Sequence, residues 1–218
     1  MFSTGYVTLF QFQGVPVRIH WTFLLGALLF GGFRFAPGFW VGYFLLILMH
    51  EMGHVLLVFR CRLSALAIEL HGFGGQCLYA GDPSPLQRST VAWGGVLAQA
   101  VVLATTYLVL ALVEPPTHAF GRDLIHAFTF TNMILIAINL LPFPPLDGAE
   151  AWKYFSRRRA EKRRREHRQK KKEKVQLLRK ERARERELSV EIDEKEVKQS
   201  VKEALKAASD QAKKSRTR

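Results

Sequence analysis

Phe39-Trp40-Val41-Gly42-Tyr43-Phe44-Leu45-Leu46-Ile47-Leu48-Met49-His50-Glu51-Met52-Gly53-His54-Val55-Leu56-Leu57-Val58-Phe59 is an apolar run interrupted by a single His-Glu-x-x-His group. At 1.5 Å rise per residue, about 20 such residues match the roughly 30 Å hydrocarbon core of a bilayer, so the stretch predicts a transmembrane helix. Glu51 then sits at membrane depth, where an ionised carboxylate costs roughly 2.5 to 3.5 kcal/mol and is retained chiefly where it has a partner or a task. The spacing supplies both. His50 and His54 fall one turn apart on one helical face, so two imidazoles can bind one tetrahedral zinc ion. Glu51, beside the first of them, is placed to take a proton from an attacking water. As a bare string the pattern also arises by chance in soluble proteins, but inside an apolar span two satisfied core histidines and a stray glutamate are the poorer reading.

Charge divides the chain in two. Residues 1 to 152 carry six Lys/Arg against seven Asp/Glu, a net of −1, whereas residues 153 to 218 carry 26 against 12, a net of +14. Averaged composition hides this: the chain reads as an apolar membrane core, 1–152, followed by a basic cytoplasmic tail, 153–218, that is helical or disordered. Neither Cys61 nor Cys77 belongs to a CxxC pair, and both fall in a loop expected on the cytoplasmic side, so they read as free thiols. Arg18 precedes an apolar run that continues to Phe33 without a small-residue cleavage site. That run is expected to be a first transmembrane helix rather than a removable signal peptide.

Apolar runs fall at about 19–33, 39–59, 88–113 and 124–141, which predicts four spans with both termini on one side. Arg18, Arg60, Arg62, Arg88 and the whole basic tail then share a face, leaving Arg34 and Arg122 on the other, so the positive-inside rule makes the termini cytoplasmic. His50 and His54 come to lie in the cytoplasmic half of the second helix. Pro37-Gly38 and Pro115-Pro116 punctuate short outer loops. The longer connection, Cys61 to Gln87, alternates at Leu66, Ile68 and Leu70 before Gly72-Phe73-Gly74-Gly75, which predicts a small β-hairpin. An open strand edge beside the zinc site can pair with an extended peptide near Gly74 and Gly75; the competing reading is a surface hairpin without function.

A catalytic zinc normally has three protein ligands, so a third must come from elsewhere. The fourth run ends in Asn139-Leu140-Leu141-Pro142-Phe143-Pro144-Pro145-Leu146-Asp147-Gly148, where prolines break the helix and Asp147 emerges on the histidines' side. Read alone, Asp147-Gly148 is equally a turn that caps a helix starting near Ala149.

Together the two segments resemble the site-2 protease family of intramembrane zinc metalloproteases. That family pairs H-E-x-x-H on one transmembrane helix with an N-x-x-P-x-x-P-x-D-G type segment on a later one, and the likeness runs over roughly residues 14 to 152. Val15-Pro16-Val17-Arg18-Ile19-His20-Trp21 also looks like the segment leading into the family's first helix, with His20 expected as an interface anchor without chemistry. The resemblance implies an all-α membrane protein with a four-helix metalloprotease core and a small cytoplasmic-side hairpin. It also implies that His50, His54 and Asp147 hold one Zn2+ per chain, that Glu51 is general acid and base, and that Asn139 positions the substrate carbonyl or its oxyanion. The family often has G-P-x-x-N on the helix after the hairpin; here the stretch reads Gly95-Val96-Leu97-Ala98-Gln99, and Gln99 is expected to offer its amide to a neighbour or to substrate. There is no room for the PDZ or CBS domains that many members carry.

The expected activity is hydrolysis of peptide bonds in or near transmembrane segments of membrane-bound substrates, as in regulated intramembrane proteolysis. Substrate helices must unwind before attack, so Gly, Pro, Ser or Asn is expected near the cut. The rivals are a catalytically silent membrane scaffold presenting its basic tail, and a zinc carrier or sensor that needs the ligands but not Glu51. For the tail, attraction to anionic lipid headgroups is the least demanding reading. A solvated tail and nucleic-acid binding compete with it, the latter disfavoured because no aromatics interleave the charges beyond Tyr154 and Phe155. Val197, Val201 and Leu205 are spaced for a short amphipathic helix. A bacterial inner membrane is the expected location.

Overall fold

The computed structural model describes residues 5–216, and describes the backbone alone for residues 185–194, 196 and 204–216. The contact pattern separates two units, Met1–Arg159 and Ala160–Arg218.

In the first unit, strands β1 (Tyr6–Phe12) and β2 (Val15–His20) form a hairpin, and β3 (Ser64–His71) and β4 (Gly74–Ala80) form another. β2 pairs in parallel with β3, giving a four-stranded sheet in the order β1-β2-β3-β4. The helices are α1 (Phe23–Phe30), α2 (Pro37–Arg60), α3 (Pro85–Leu112), α4 (Ala119–His126), a π turn at Ala127–Thr131, α5 (Asn132–Asn139) and α6 (Gly148–Ala151). The last helix, α7 (Lys153–Arg216), begins in the first unit and makes up the second.

Among the described residues, α2 and α3 are the two helices long and apolar enough to cross a membrane, and both lie where the hydropathy pattern put them. Proline starts each, where its missing N–H costs nothing. α3 has a full capping box, Ser84 accepting from the Gln87 backbone N–H while the Gln87 side chain accepts from the Ser84 N–H. Much of α3 is apolar surface that the protein leaves uncovered, including Val101, Leu108 and Leu112. An uncovered apolar stripe of this kind marks a surface for a membrane or a protein partner rather than for water.

Two expectations need correction. The run 19–33 does not form a membrane-length helix: α1 has eight residues, about 12 Å at helical rise. Its first residues belong to β2, whose alternation buries Val15 and Val17, and Gly31, Gly32 and Phe33 end it, the last two with φ of +67° and +58°. The β structure is also larger than one hairpin, so the protein is a helical fold with a mixed sheet rather than all-α. The fourth run is helical over 119–139 but in three pieces, with the π turn between α4 and α5.

Close glycine contacts set how these parts meet. A Cβ on Gly53 of α2 would lie 2.2 Å from the Gly94 carbonyl oxygen of α3, and one on Gly94 2.4 Å from that of Gly53, so the two backbones touch at their crossing. Gly38, at the start of α2, similarly abuts the Phe120 backbone of α4. At the other end of α2, Gln87 of α3 donates to the Cys61 carbonyl, and Arg157 of α7 donates to the Pro85 carbonyl. The end of α2, the start of α3 and the start of α7 therefore gather at one end of the bundle, and the β3–β4 hairpin runs back from there along α2. The β3–β4 turn is pinned to α2 by the buried Tyr43 hydroxyl, which donates to the Gly72 carbonyl at 2.8 Å.

α7 is predominantly polar, its apolar residues such as Val175, Leu177 and Leu178 lying exposed, with Arg165 donating twice to Glu161 and Lys162 pairing with Glu166 one turn apart. Such a helix is held by local pairs, since it has no apolar face to bury. Val197 and Val201 are exposed on it; the Leu205 side chain lies outside the described residues.

Candidate active site

α2 is continuous through His-Glu-x-x-His, so its 3.6-residue repeat stacks His50 over His54, with ring centroids 4.7 Å apart. Each ring is oriented by its Nδ1. That of His54 meets the Val91 carbonyl oxygen at 2.8 Å, and that of His50 meets Gln99 Oε1 at 3.1 Å. A carbonyl can only accept, so Nδ1 of His54 carries its proton; Oε1 imposes the same tautomer on His50. The Nε2 lone pairs are left facing inward, 3.1 Å from one another.

Asp147 completes the group. The prolines after α5 end that helix, and the chain turns back into α6 with Gly148 packed on the carbonyls of Leu140 and Leu141, where a Cβ would lie 2.4 Å away. Trp152 Nε1 donates to the Leu140 carbonyl and Trp93 Nε1 to that of Ala151, tying the turn to α3. Asp147 occupies the position before α6, but its side chain makes no capping hydrogen bond. The carboxylate instead points at the histidines, Oδ2 lying 2.9 Å from His50 Nε2 and 3.1 Å from His54 Nε2.

The donor set fits a metal. Two imidazole nitrogens and a carboxylate oxygen converge within 4.8 Å of one another, and Oδ2 has no properly aligned hydrogen-bond donor despite its burial. A cation between them would satisfy all three. Tetrahedral zinc with ligand bonds of about 2.0–2.1 Å would set such atoms about 3.3 Å apart, close to the observed separations.

Glu51 lies next to this group, 2% exposed and with Oε2 lacking any hydrogen-bond partner. Gly75 of β4 presses against it: a Cβ there would fall 2.5 Å from Glu51 Cγ and Oε1. The carboxylate and the triad line a cleft of about 640 Å³, together with Gly74 and Gly75 on one side and Asn139 and Ile138 on another. β4 is an edge of the sheet, so its outer backbone groups face no other strand among the described residues. Cys77 also lines the cleft; burial, with the charge of Glu51, pushes its thiol up to about 12.

Each residue singled out from the sequence is therefore at or behind the cleft, with one change of position. Gln99 does not reach the cleft: it is fully buried behind His50, and its amide faces the imidazole rather than substrate. Sequence reasoning missed the Val91 carbonyl, Asn132, Gly95 and the two tryptophans. Only the small pair Gly94-Gly95 carried a signal, as close-approach residues in an apolar helix.

No protein-family model matches the chain. Among curated proteins it is 24% identical over 148 residues to "Zinc metalloprotease MJ0392" of Methanocaldococcus jannaschii, a match covering 65% of this chain and 43% of that protein. It is 27% identical over 175 residues to "Putative zinc metalloprotease Rip3" of Mycobacterium tuberculosis, covering 70% of this chain and 44% of that one. The chain thus spans less than half the length of these curated relatives. Among solved structures it shares its fold with the site-2 protease from Methanocaldococcus jannaschii, at a TM-score of 0.56 and 20% identity over 69% of this chain and 71% of that one. Relatives named for zinc proteolysis, the fold of a site-2 protease and metal-ready donors at both motif positions point the same way: the chain is similar to zinc metalloproteases and shares the fold of a site-2 protease.

Proposed function

We propose that the chain is an intramembrane zinc metalloprotease that hydrolyses peptide bonds in or near transmembrane segments of membrane-bound proteins, in regulated intramembrane proteolysis. The observation that carries this is the convergence of His50, His54 and Asp147 beside an otherwise unpartnered Glu51, on the floor of one cleft. His50, His54 and Asp147 would hold one Zn2+, which when bound supplies Lewis-acid polarisation of the scissile carbonyl and acidifies water. Glu51 accepts the proton of the attacking water and passes it to the leaving amine, so that water and one amide become a carboxylic acid and an amine. Asn139, at the end of α5 in the cleft wall, is suited to hold the carbonyl oxygen as it gains negative charge.

The open edge of β4 suits an unwound substrate segment, whose backbone groups regain partners by strand addition near Gly74 and Gly75. Proline substitutions along β4 should then impair cleavage without loss of zinc; unchanged cleavage would exclude strand addition. The cationic start of the tail, 17 Lys/Arg against five Asp/Glu over residues 157–186, suits anionic lipid headgroups. We take both ends of the core to lie on the cytoplasmic side of a bacterial inner membrane.

The test compares new protein N-termini in membranes of cells expressing the wild-type chain or Glu51→Gln at matched levels. Fragments cut within transmembrane segments in the wild type alone are expected. Identical profiles where candidate substrates are present would favour a zinc-binding scaffold or sensor, because only proteolysis requires Glu51.

A further inference from the structure

The two histidines are oriented by different means. His54 leans on the backbone carbonyl of Val91, which no substitution removes, whereas His50 leans on a side chain, Gln99. Gln99 is fully buried and its Nε2 has no hydrogen-bond partner, so among the described residues its amide makes one bond, Oε1 accepting from His50 Nδ1. A buried amide with an unpaired N–H is costly in an apolar helix, and a leucine would pack there without that cost. The direction of the amide matters. With Oε1 inward, Nδ1 of His50 holds the proton and Nε2 is a free lone pair; with the amide reversed, the proton would sit on Nε2 and point at Asp147.

The backbone at Gln99 is itself held. Asn132, also fully buried, donates from Nδ2 to the Gln99 carbonyl at 3.0 Å and to the Phe128 carbonyl at 3.3 Å. Asn132 directly follows the π turn, where hydrogen bonds skip one extra residue and the helix face is rotated relative to a straight α-helix. That rotation brings its amide against α3.

We propose that Gln99 is a positioning residue that fixes the tautomer and orientation of His50 for metal binding, with Asn132 and the π turn anchoring the Gln99 backbone from α5. This rests on the zinc reading above. Neither residue touches substrate or the reacting atoms.

Full-length protein, purified in detergent, is titrated with zinc against a chelator of known affinity, in wild-type form and as Gln99→Leu, Gln99→Met and Gln99→Glu. Loss of an outer hydrogen bond to a ligating histidine costs on the order of 10- to 100-fold in metal affinity, which is the expectation for Gln99→Leu and Gln99→Met. Gln99→Glu keeps an acceptor and should bind within about threefold of wild type, a rescue that mere packing does not predict. The cobalt-loaded absorption spectrum should likewise change in the first two and stay wild-type-like in the third. Wild-type affinity in whichever of Gln99→Leu and Gln99→Met folds, or equal loss in Gln99→Glu, overturns the inference alone. A wild-type chain that binds no zinc overturns it together with the zinc reading.

Discussion

Gly95 faces the imidazole of His50 so closely that a methyl group on it would lie 2.3 Å from Cε1 and 2.4 Å from Nε2. Real Cβ atoms do not come that near, so a methyl group there must displace the imidazole or part the α2–α3 crossing that Gly94 and Gly53 hold closed. Either movement disturbs His50 against its neighbours. Gly95→Ala is expected to lower zinc affinity by at least about tenfold, the scale on which displaced ligand support acts. Overpacking should at the same time reduce stability by about 1–3 kcal/mol. Zinc competition and thermal unfolding on the same preparation separate the two effects. Unaltered affinity would mean that His50 is not a ligand in this position.

Gly75 stands in the same relation to Glu51, and here the prediction differs. The three atoms nearest to a Cβ on Gly75 would be Cγ, Cδ and Oε1 of the glutamate, at 2.5–2.7 Å. Gly75→Ala should displace the proton-accepting carboxylate while leaving His50, His54 and Asp147 in place. General acid–base groups contribute roughly 10²–10⁴-fold, so cleavage should fall by about that range with full zinc content. Parallel loss of zinc and activity would contradict the division of labour between Glu51 and the triad.

What the sequence reveals and what it hides follow from how local each signal is. His50, Glu51 and His54 are legible because helical periodicity alone places them together, and the lengths of α2 and α3 are legible because hydropathy over about 20 residues is a property of one segment. The triad's closure on Asp147 depends on three turns of backbone after α5 and on two tryptophan N–H bonds from distant positions, none of which has a local signature. β2 was concealed differently. Val15, Val17 and Ile19 alternate as a strand should, but they run directly into an apolar stretch whose hydropathy dominates any longer window. Their partner is β3, about 50 residues away, and parallel pairing at that separation leaves no mark on either segment alone. Gln99 was visible as an amide in an apolar helix; only the fold shows that it faces a histidine rather than the cleft.

The start of α7 is held to the core through Glu150. Burial raises the pKa of this carboxyl, but hydrogen bonds and charge from Arg157 and Lys153 outweigh it and hold the value below the ordinary 4.5. Arg157 also donates to Ser89 Oγ at 2.6 Å and to the Pro85 carbonyl at 2.7 Å, so the cluster joins α6, α7 and α3. A carboxyl with a depressed folded-state pKa contributes stability that is complete above the unfolded value of 4.5 and is lost as pH falls through the folded value. Wild-type stability should therefore decline more steeply than that of Glu150→Gln on acidification from about pH 5.5 to 3, with the two curves converging at the acid end. Parallel curves would mean that the cluster is too well screened to matter, as exposed pairs often are.

Tyr43 joins the helix of His50 and His54 to the hairpin that forms the cleft wall, through a fully buried hydroxyl donating to the Gly72 carbonyl. The turn it holds is tightly seated: a Cβ on Gly72 would lie 2.4 Å from the Thr22 carbonyl oxygen, and one on Gly26 of α1 would collide with Gly72 itself. Tyr43→Phe keeps the ring among Phe23, Phe30 and Phe39 and removes only the hydroxyl, leaving a buried carbonyl short of its donor. The expected cost is about 1–3 kcal/mol. The loss should appear first as faster amide exchange across β3 and β4, because the turn is released from α2 while the α2–α3 crossing at Gly53 and Gly94 is untouched. Zinc affinity should stay within about threefold of wild type, since no ligand's outer hydrogen bond is altered. Cleavage should fall further than stability if β4 holds the substrate, because a loosened edge strand presents its backbone groups less steadily. Faster hairpin exchange with undiminished cleavage would show that the wall near Gly74 and Gly75 is scaffolding and that the substrate is held elsewhere.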